Sequence, residues 1–459
     1  MATDSKATQN YAASYGITEE QISSILQCIK DKNFSSIDEK IKNMHPADIA
    51  ELIVSLDNDD RIIFIDQLKH RINPDVFTYL EDSIKEEVLE QMGTVGVAAA
   101  LTDMDSDDAV NILEELDEEQ QSEILKSIPA SERAILEAAL AYPEDSAGRL
   151  MQSNTVYVPA FWSVQETMDY IKESQDLPDI FYDIFIVDSK HRPVGVVSLD
   201  KILRQQPTLL MSDIMQTDIK TIPVSMDQEE VARLFRKYAL VSSPVIDQQS
   251  KIIGMITVDD VVDVIDEEAE EDILNLAGVG DSDFYASSFK IAYWRIRWLA
   301  VTLINTLIAA EVISLFGKAI HEHVALAYLM VITAAMGGSA GMQSVTVVVR
   351  ALTTKDIKPG NYLRSIGKET VVSCISGILL APILGVIIAY WIGDIMLGLI
   401  LAIAMFINML WAGFAGTFLP IFIRKLGLDP AISAGPILST LTDVVGYAIF
   451  LGLATIILL

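Results

Sequence analysis

Five apolar stretches crowd the last third of the chain, at about 298–317, 324–349, 370–393, 395–423 and 431–459. Each supplies the roughly 20 residues a helix needs to cross a bilayer. Hydrocarbon offers no water to backbone amides, so such stretches must pair their N–H and C=O groups internally, as helices. Charge is split along the same line. From Ile291 onward there are 10 Lys/Arg and 7 Asp/Glu, a net of +3, which leaves residues 1–290 with 23 basic and 57 acidic side chains, a net of −34. A soluble body that acidic repels nucleic acid and anionic lipid and attracts cations. Nucleic-acid partners are therefore excluded. Cys28 and Cys374 fall in different halves, so neither a disulfide framework nor a thiolate metal site is expected. Met1 to Ser14 is polar and lacks the apolar run of a secretory signal.

From about Ile17 to Ala141 short amphipathic runs follow acidic, cap-like starts. His45-Pro46-Ala47-Asp48 precedes Ile49-Ala50-Glu51-Leu52-Ile53, and Asp105-Ser106-Asp107-Asp108 precedes Ala109-Val110-Asn111-Ile112-Leu113. Polar caps and first-turn acids suit the exposed N–H groups and dipole of a helix start. Their recurrence every 20–35 residues reads as stacked helical hairpins. Residues 148–265 change character and contain a duplication. Met151-Gln152 and Val158-Pro159 recur as Met215-Gln216 and Ile222-Pro223, an offset of 64. Val187-Asp188, Gly195 and Asp200 recur as Ile246-Asp247, Gly254 and Asp259, an offset of 59. Two such β-α-β-β-α units resemble a tandem CBS pair. By that resemblance Thr257 and Asp260, three apart, are candidate nucleotide-binding residues that reach a ribose. The first copy has Ser198 but Lys201 at the acid's place, so at most one such site is complete; a pair that only transmits conformation is the alternative.

Asp260 to Asp272 holds eight acids and no basic residue. On a helix, residues 260, 263, 267 and 271 make one acidic stripe whose mutual repulsion a cation would relieve. Oxygen-only ligation suits Mg2+ or Ca2+; a merely solvated face is the alternative. Farther on, Asp443 is a lone carboxylate near the middle of the last apolar stretch. A charge at bilayer depth costs about 2.5–3.5 kcal/mol on insertion scales, so by default it marks an ion or substrate path. A neutral carboxyl packed between helices is the competing reading. Gly435-Pro436 loosens the backbone before it, and Ser439, Thr440 and Thr442 bring small hydroxyls. Met336 to Ser344, with three glycines, allows either close helix approach or an unwound segment. Asn305, Glu311, Asn408, Gly413 and Gly416 are further candidates to line or pack, whereas His321-Glu322-His323 reads as an exposed loop, with a metal site as the alternative. Lys and Arg before the first stretch, between the second and third, and between the fourth and fifth put the soluble half inside and the C-terminus outside.

Four features together resemble the MgtE family of magnesium transporters and channels, over nearly the whole chain. They are Tyr142-Pro143-Glu144-Asp145-Ser146-Ala147-Gly148-Arg149-Leu150-Met151, the duplicated unit ahead of the membrane part, Gly337-Gly338 to Arg350-Ala351-Leu352, and Leu428-Asp429-Pro430 through Thr442-Asp443-Val444-Val445-Gly446. The resemblance implies a multidomain chain: a disordered 1–16, an all-α superhelical N domain at 17–146, and an α/β tandem CBS pair at 147–265. A connecting "plug" helix at 266–293 and a five-helix transmembrane bundle at 294–459 would follow. It implies a homodimer in the cytoplasmic membrane, taking up Mg2+ through a pore between subunits, where Asp443 holds a largely hydrated ion assisted by Ser439 and Gly435. It also implies that Asp227, Glu229, Asp260, Asp263, Glu268, Glu271 and Asp272 sense Mg2+ and close the pore, with Asp103 to Asp108 as looser candidates, and allows ATP at the CBS pair. The chain departs from the family pattern at Ser339, Met342, Gly435 and Ala239. Co2+ or Mn2+ transport, export, and a receptor that conducts nothing are the rivals. An intramembrane protease is disfavoured, because Ala325 breaks a His-Glu-x-x-His motif and only Asp443 lies deep.

Overall fold

The computed structural model describes residues 16–68, 71–174, 177–178, 180–279 and 288–459. The expectation for 1–16 lies, apart from Gly16, outside the described residues, as does part of the connecting segment. The chain divides into two compact units, Met1–Asp266 and Glu267–Leu459.

The first unit opens with short helices from Glu19–Lys30 to Ala130–Leu140. Capping boxes start two of them: Thr18 with Gln21, and Asp117 with Gln120. In each, a side-chain oxygen and a glutamine satisfy amides that the first turn leaves unpaired. The longest, Asp82–Thr102, breaks at Gly93, whose φ of 69° is open to glycine. One continuous core, including Leu52, Phe64, Phe77, Ile112 and Leu113, runs through these helices. Arg61 is buried beneath it and donates to the Ile53 and Leu56 carbonyls (both 3.0 Å) and to Glu87 (2.8 Å).

The duplicated segment forms two matching three-stranded sheets. In one, β1 (Tyr157–Pro159) runs parallel to β2 (Asp183–Val187), which pairs antiparallel with β3 (Pro193–Ser198). In the other, β4 (Ile222–Pro223), β5 (Ser242–Ile246) and β6 (Ile252–Thr257) repeat the order. The register shifts at Ile186/Val187 and again at Val245/Ile246, an offset of 59. The copies also bridge each other, Gln152 to Met255 and Gln216 to Val196. These contacts explain the repeated glycines. A Cβ at Gly254 would stand 2.7 Å from the Gln152 carbonyl, and one at Gly195 3.0 Å from that of Gln216.

The second unit holds five helices long and apolar enough to span a membrane among the described residues: Ser288–Ser314, Ala325–Thr353, Tyr362–Ile392, Ile395–Lys425 and Pro430–Leu458. These are the first to fifth spans. The first begins about ten residues earlier than its apolar stretch, because Arg295 and Arg297 are carried within the helix. Arg297 lies over the Trp294 ring at 5.0 Å, which shields its charge. Met336 to Ser344 is continuous helix, so its glycines serve close packing. A Cβ at Gly341 would lie 2.9 Å from Leu438, and one at Gly416 2.6 Å from the Gly341 carbonyl. Backbones thereby approach where lipid gives no hydrophobic push. His321 and Glu322 end a short helix, Gly317–Glu322, in place of the expected loop.

Candidate ion path and carboxylate sites

The fifth span starts at Asp429, whose carboxylate accepts from the Ala431 amide (2.9 Å) and caps the helix. Pro436 lies inside the helix, where its ring removes one backbone hydrogen bond. Side chains crowd the carbonyls beside it. Thr440 Oγ1 (2.9 Å) and Asn305 Nδ2 of the first span (3.3 Å) both donate to the Pro436 carbonyl, and Ser439 Oγ donates to that of Gly435 (3.2 Å). Gly435, Ser439 and Asp443 follow at intervals of four and share one stripe. Tyr447 is next on it, a residue that the same spacing could have picked out. Gly435 is buried, Ser439 exposed and Asp443 partly exposed. Among the described residues no Lys or Arg pairs with Asp443. Glu311, on the first span, is exposed.

What buries Gly435 is the end of the acidic helix, Val258–Ala277. A Cβ at Gly435 would stand 2.9 Å from the Leu276 carbonyl. Leu276 packs with Ala431, Leu438 and Val345, beside Met342 and Trp411. One turn back, Asp272 accepts from Thr353 Oγ1 at the end of the second span (3.3 Å). Burial, and then the nearby charge of Asp429, hold the Asp272 carboxyl above its usual range. Buried Asn275 donates to Glu271 (3.1 Å). Asp429, named in the sequence only within the Leu428-Asp429-Pro430 feature, carries no local sign that it lies near Asp272. The acidic run and the first part of the connecting segment, as far as Ala277, form a single helix from Val258, since nothing in Val258–Ala277 breaks its periodicity.

In the first unit, the start of that helix meets the start of Ser106–Glu114. Asp260 accepts from Thr257 Oγ1 (2.6 Å) and its amide (3.3 Å), and it is bonded to Asp107. Asp107 is buried, and its Oδ1 has no partner among the described residues. Burial first, then the charges of Asp260 and its other neighbours, push Asp107 well up and Asp108 to about 7. Burial holds Asp260 at about 6 against the opposing Thr257 hydrogen bond. Asp263 is raised by burial, then by Asp259 and Asp266. Acids cluster here because two helix starts, each favouring carboxylates, face one another. Asp227 lies elsewhere: it caps Gln228–Tyr238 through the Glu229 amide (3.0 Å) beside Asp145. Among the described residues no three His, Cys, Asp or Glu side chains close into a metal cage.

Five apolar spans, the last carrying a carboxylate with no basic partner among the described residues, together with an acidic N-terminal unit, fit the class of multi-pass membrane transporters of cations. Residues 330–453 match the family model described as a divalent cation transporter, residues 44–145 the MgtE intracellular N domain, and residues 147–207 and 211–267 the CBS domain. The magnesium transporter MgtE of Bacillus subtilis is 30% identical over 95% of this chain and 97% of its own. That of Thermus thermophilus is 30% identical over 96% and 99%. The crystal structure of the cytosolic domain of the Mg2+ channel MgtE in complex with ATP is 27% identical, with a TM-score of 0.50, over 53% of this chain and 99% of that one. The chain belongs to the MgtE family of magnesium transporters, and it is not an enzyme.

Proposed function

We propose that this chain is a channel-like Mg2+ uptake protein of the cytoplasmic membrane, closed when cytosolic Mg2+ binds its acidic helix and the carboxylates around it. The observation that carries the reading is the seat of Leu276 on Gly435, two turns below Asp443 on one stripe. Mg2+ sheds water reluctantly. A single carboxylate at Asp443, assisted by Ser439 and the main chain near Gly435, can select the hydrated ion without trapping it. The membrane potential supplies about 2.3 kcal/mol per charge per 100 mV, hence about 4.6 kcal/mol for a divalent ion. Inward flow needs no other energy source. Because Asp443 is partly exposed in one chain, a homodimer with two such stripes facing across a seam completes the path. The Lys and Arg of the loops support a cytoplasmic soluble half and an outward C-terminus.

At low Mg2+, repulsion among Asp260, Asp263, Glu268, Glu271, Asp272 and the acids near Asp107 disfavours the seated helix. Bound Mg2+ neutralises them and the helix end stays on Gly435; Asp227 and Glu229 add a further sensing position beside Asp145. ATP at the CBS pair is supported by the ATP complex of the related cytosolic domain. A ribose there would replace the contact between Thr257 and Asp260. The test is uptake into vesicles carrying the full chain. Asp443→Asn should abolish Mg2+ flux, and Glu268→Ala/Glu271→Ala/Asp272→Ala should remove inhibition by Mg2+ on the cytosolic side. Normal flux in the first variant refutes the path, and unchanged inhibition in the second refutes the sensor. Preferred flux of Co2+ or Mn2+, or outward pumping, would favour the rival substrates or direction.

A further inference from the structure

The middle of the fourth span carries a polar side chain that reaches neither water nor lipid. Asn408 is completely buried. Its Nδ2 donates to the Thr333 carbonyl of the second span (2.8 Å), and its Oδ1 has no partner among the described residues. An amide oxygen left unpaired in hydrocarbon is unfavourable, so a leucine of similar size would pack there more simply. The surroundings show what the amide does. Two glycines from two other helices lie against it. A Cβ at Gly337 of the second span would overlap Nδ2, and one at Gly446 of the fifth would stand 2.7 Å from Nδ2 and 3.2 Å from Cγ. The glycines set how closely the helices approach, and the bond to Thr333 sets their axial register. Gly446 lies three residues beyond Asp443. Gly446 and Thr442 are buried on the inner face of the fifth span, which leaves Asp443 on the neighbouring, partly exposed face.

We propose that Asn408 is a positioning residue for ion passage: keyed between Gly337 and Gly446, it fixes the rotation of the fifth span and so the direction in which Asp443 presents its carboxylate. The inference rests on the reading of Asp443 as part of the path. A binding group must be held to a fraction of an ångström to discriminate between ions, so the readout is the ratio of Mg2+ to Mn2+ flux. That ratio does not depend on how much protein is folded. Full chains carrying Asn408→Ala, Gly446→Ala or both, in vesicles, are compared with wild type and Asp443→Asn. Each single variant is expected to lower the ratio about tenfold, equivalent to about 1.4 kcal/mol of lost discrimination. The double variant should return towards wild type, because the new methyl occupies room vacated by the amide. A wild-type ratio in Asn408→Ala overturns the proposal, even if total flux falls and even if Gly446→Ala fails to assemble. A double variant no better than its singles overturns it too. If Asp443→Asn is silent while the other variants keep the wild-type ratio, only the positioning role fails; if Asp443→Asn conducts normally, the path and the inference fail together.

Discussion

Replacing Asp260 by Asn tests the carboxylate cluster most directly, because the change removes a charge without changing shape. Asp260 is held at about 6 and Asp108 at about 7, and Asp107 is raised as well. The unfolded chain loses these protons near pH 4. Between about pH 4 and 7 the folded protein therefore binds more protons than the unfolded one, and stability falls as pH rises through that window. By pH 8, with divalent ions chelated, Asp260 and Asp108 are largely charged and their protonation-linked stability is mostly gone. A two-unit shift at Asp260 corresponds to about 2–3 kcal/mol. In Asp260→Asn the amide oxygen still accepts from Thr257, and Nδ2 can donate to the Asp107 carboxylate that Asp260 meets. Thermal unfolding of the full chain in detergent with EDTA should show a wild-type Tm that drops from pH 5 to pH 8. The variant should be flatter and melt about 2–5 °C higher at pH 8. Mg2+ at pH 8 should raise the wild-type Tm by mass action and the variant's by much less. A variant that melts at or below wild type in EDTA at pH 8 would show that the carboxylates do not repel one another, and repulsion could not then open the pore at low Mg2+.

Two further substitutions probe close approaches. Gly435→Ala drives a methyl to 2.9 Å from the Leu276 carbonyl and should unseat the helix end, leaving vesicle flux open at cytosolic Mg2+ levels that silence wild type; full inhibition would contradict the seat as the closed gate. Gly254→Ala meets the Gln152 carbonyl at 2.7 Å and Met151 Sδ at 2.8 Å, an overpacking expected to cost about 1–3 kcal/mol by thermal unfolding, whereas Gly360→Ala faces open space and should be neutral.

The sequence alone determined what depended on local pattern. Apolar length set the spans, since an unbroken apolar run of about 20 residues in lipid pairs its own backbone groups as a helix. The duplicated Met-Gln and Gly positions announced the paired sheets, and the lone charge of Asp443 stood out against its apolar surroundings. Tertiary structure decided whatever needed two distant segments to meet. Leu276 against Gly435, and Asp107 against Asp260, are separated by more than 150 residues of chain in each case, and no local signal records such a contact. Asn408 could have lined a path or packed; only Gly337 and Gly446, from two other helices, placed it inside. Periodicity specifies which face of a helix is apolar, whereas long-range packing specifies what that face is pressed against.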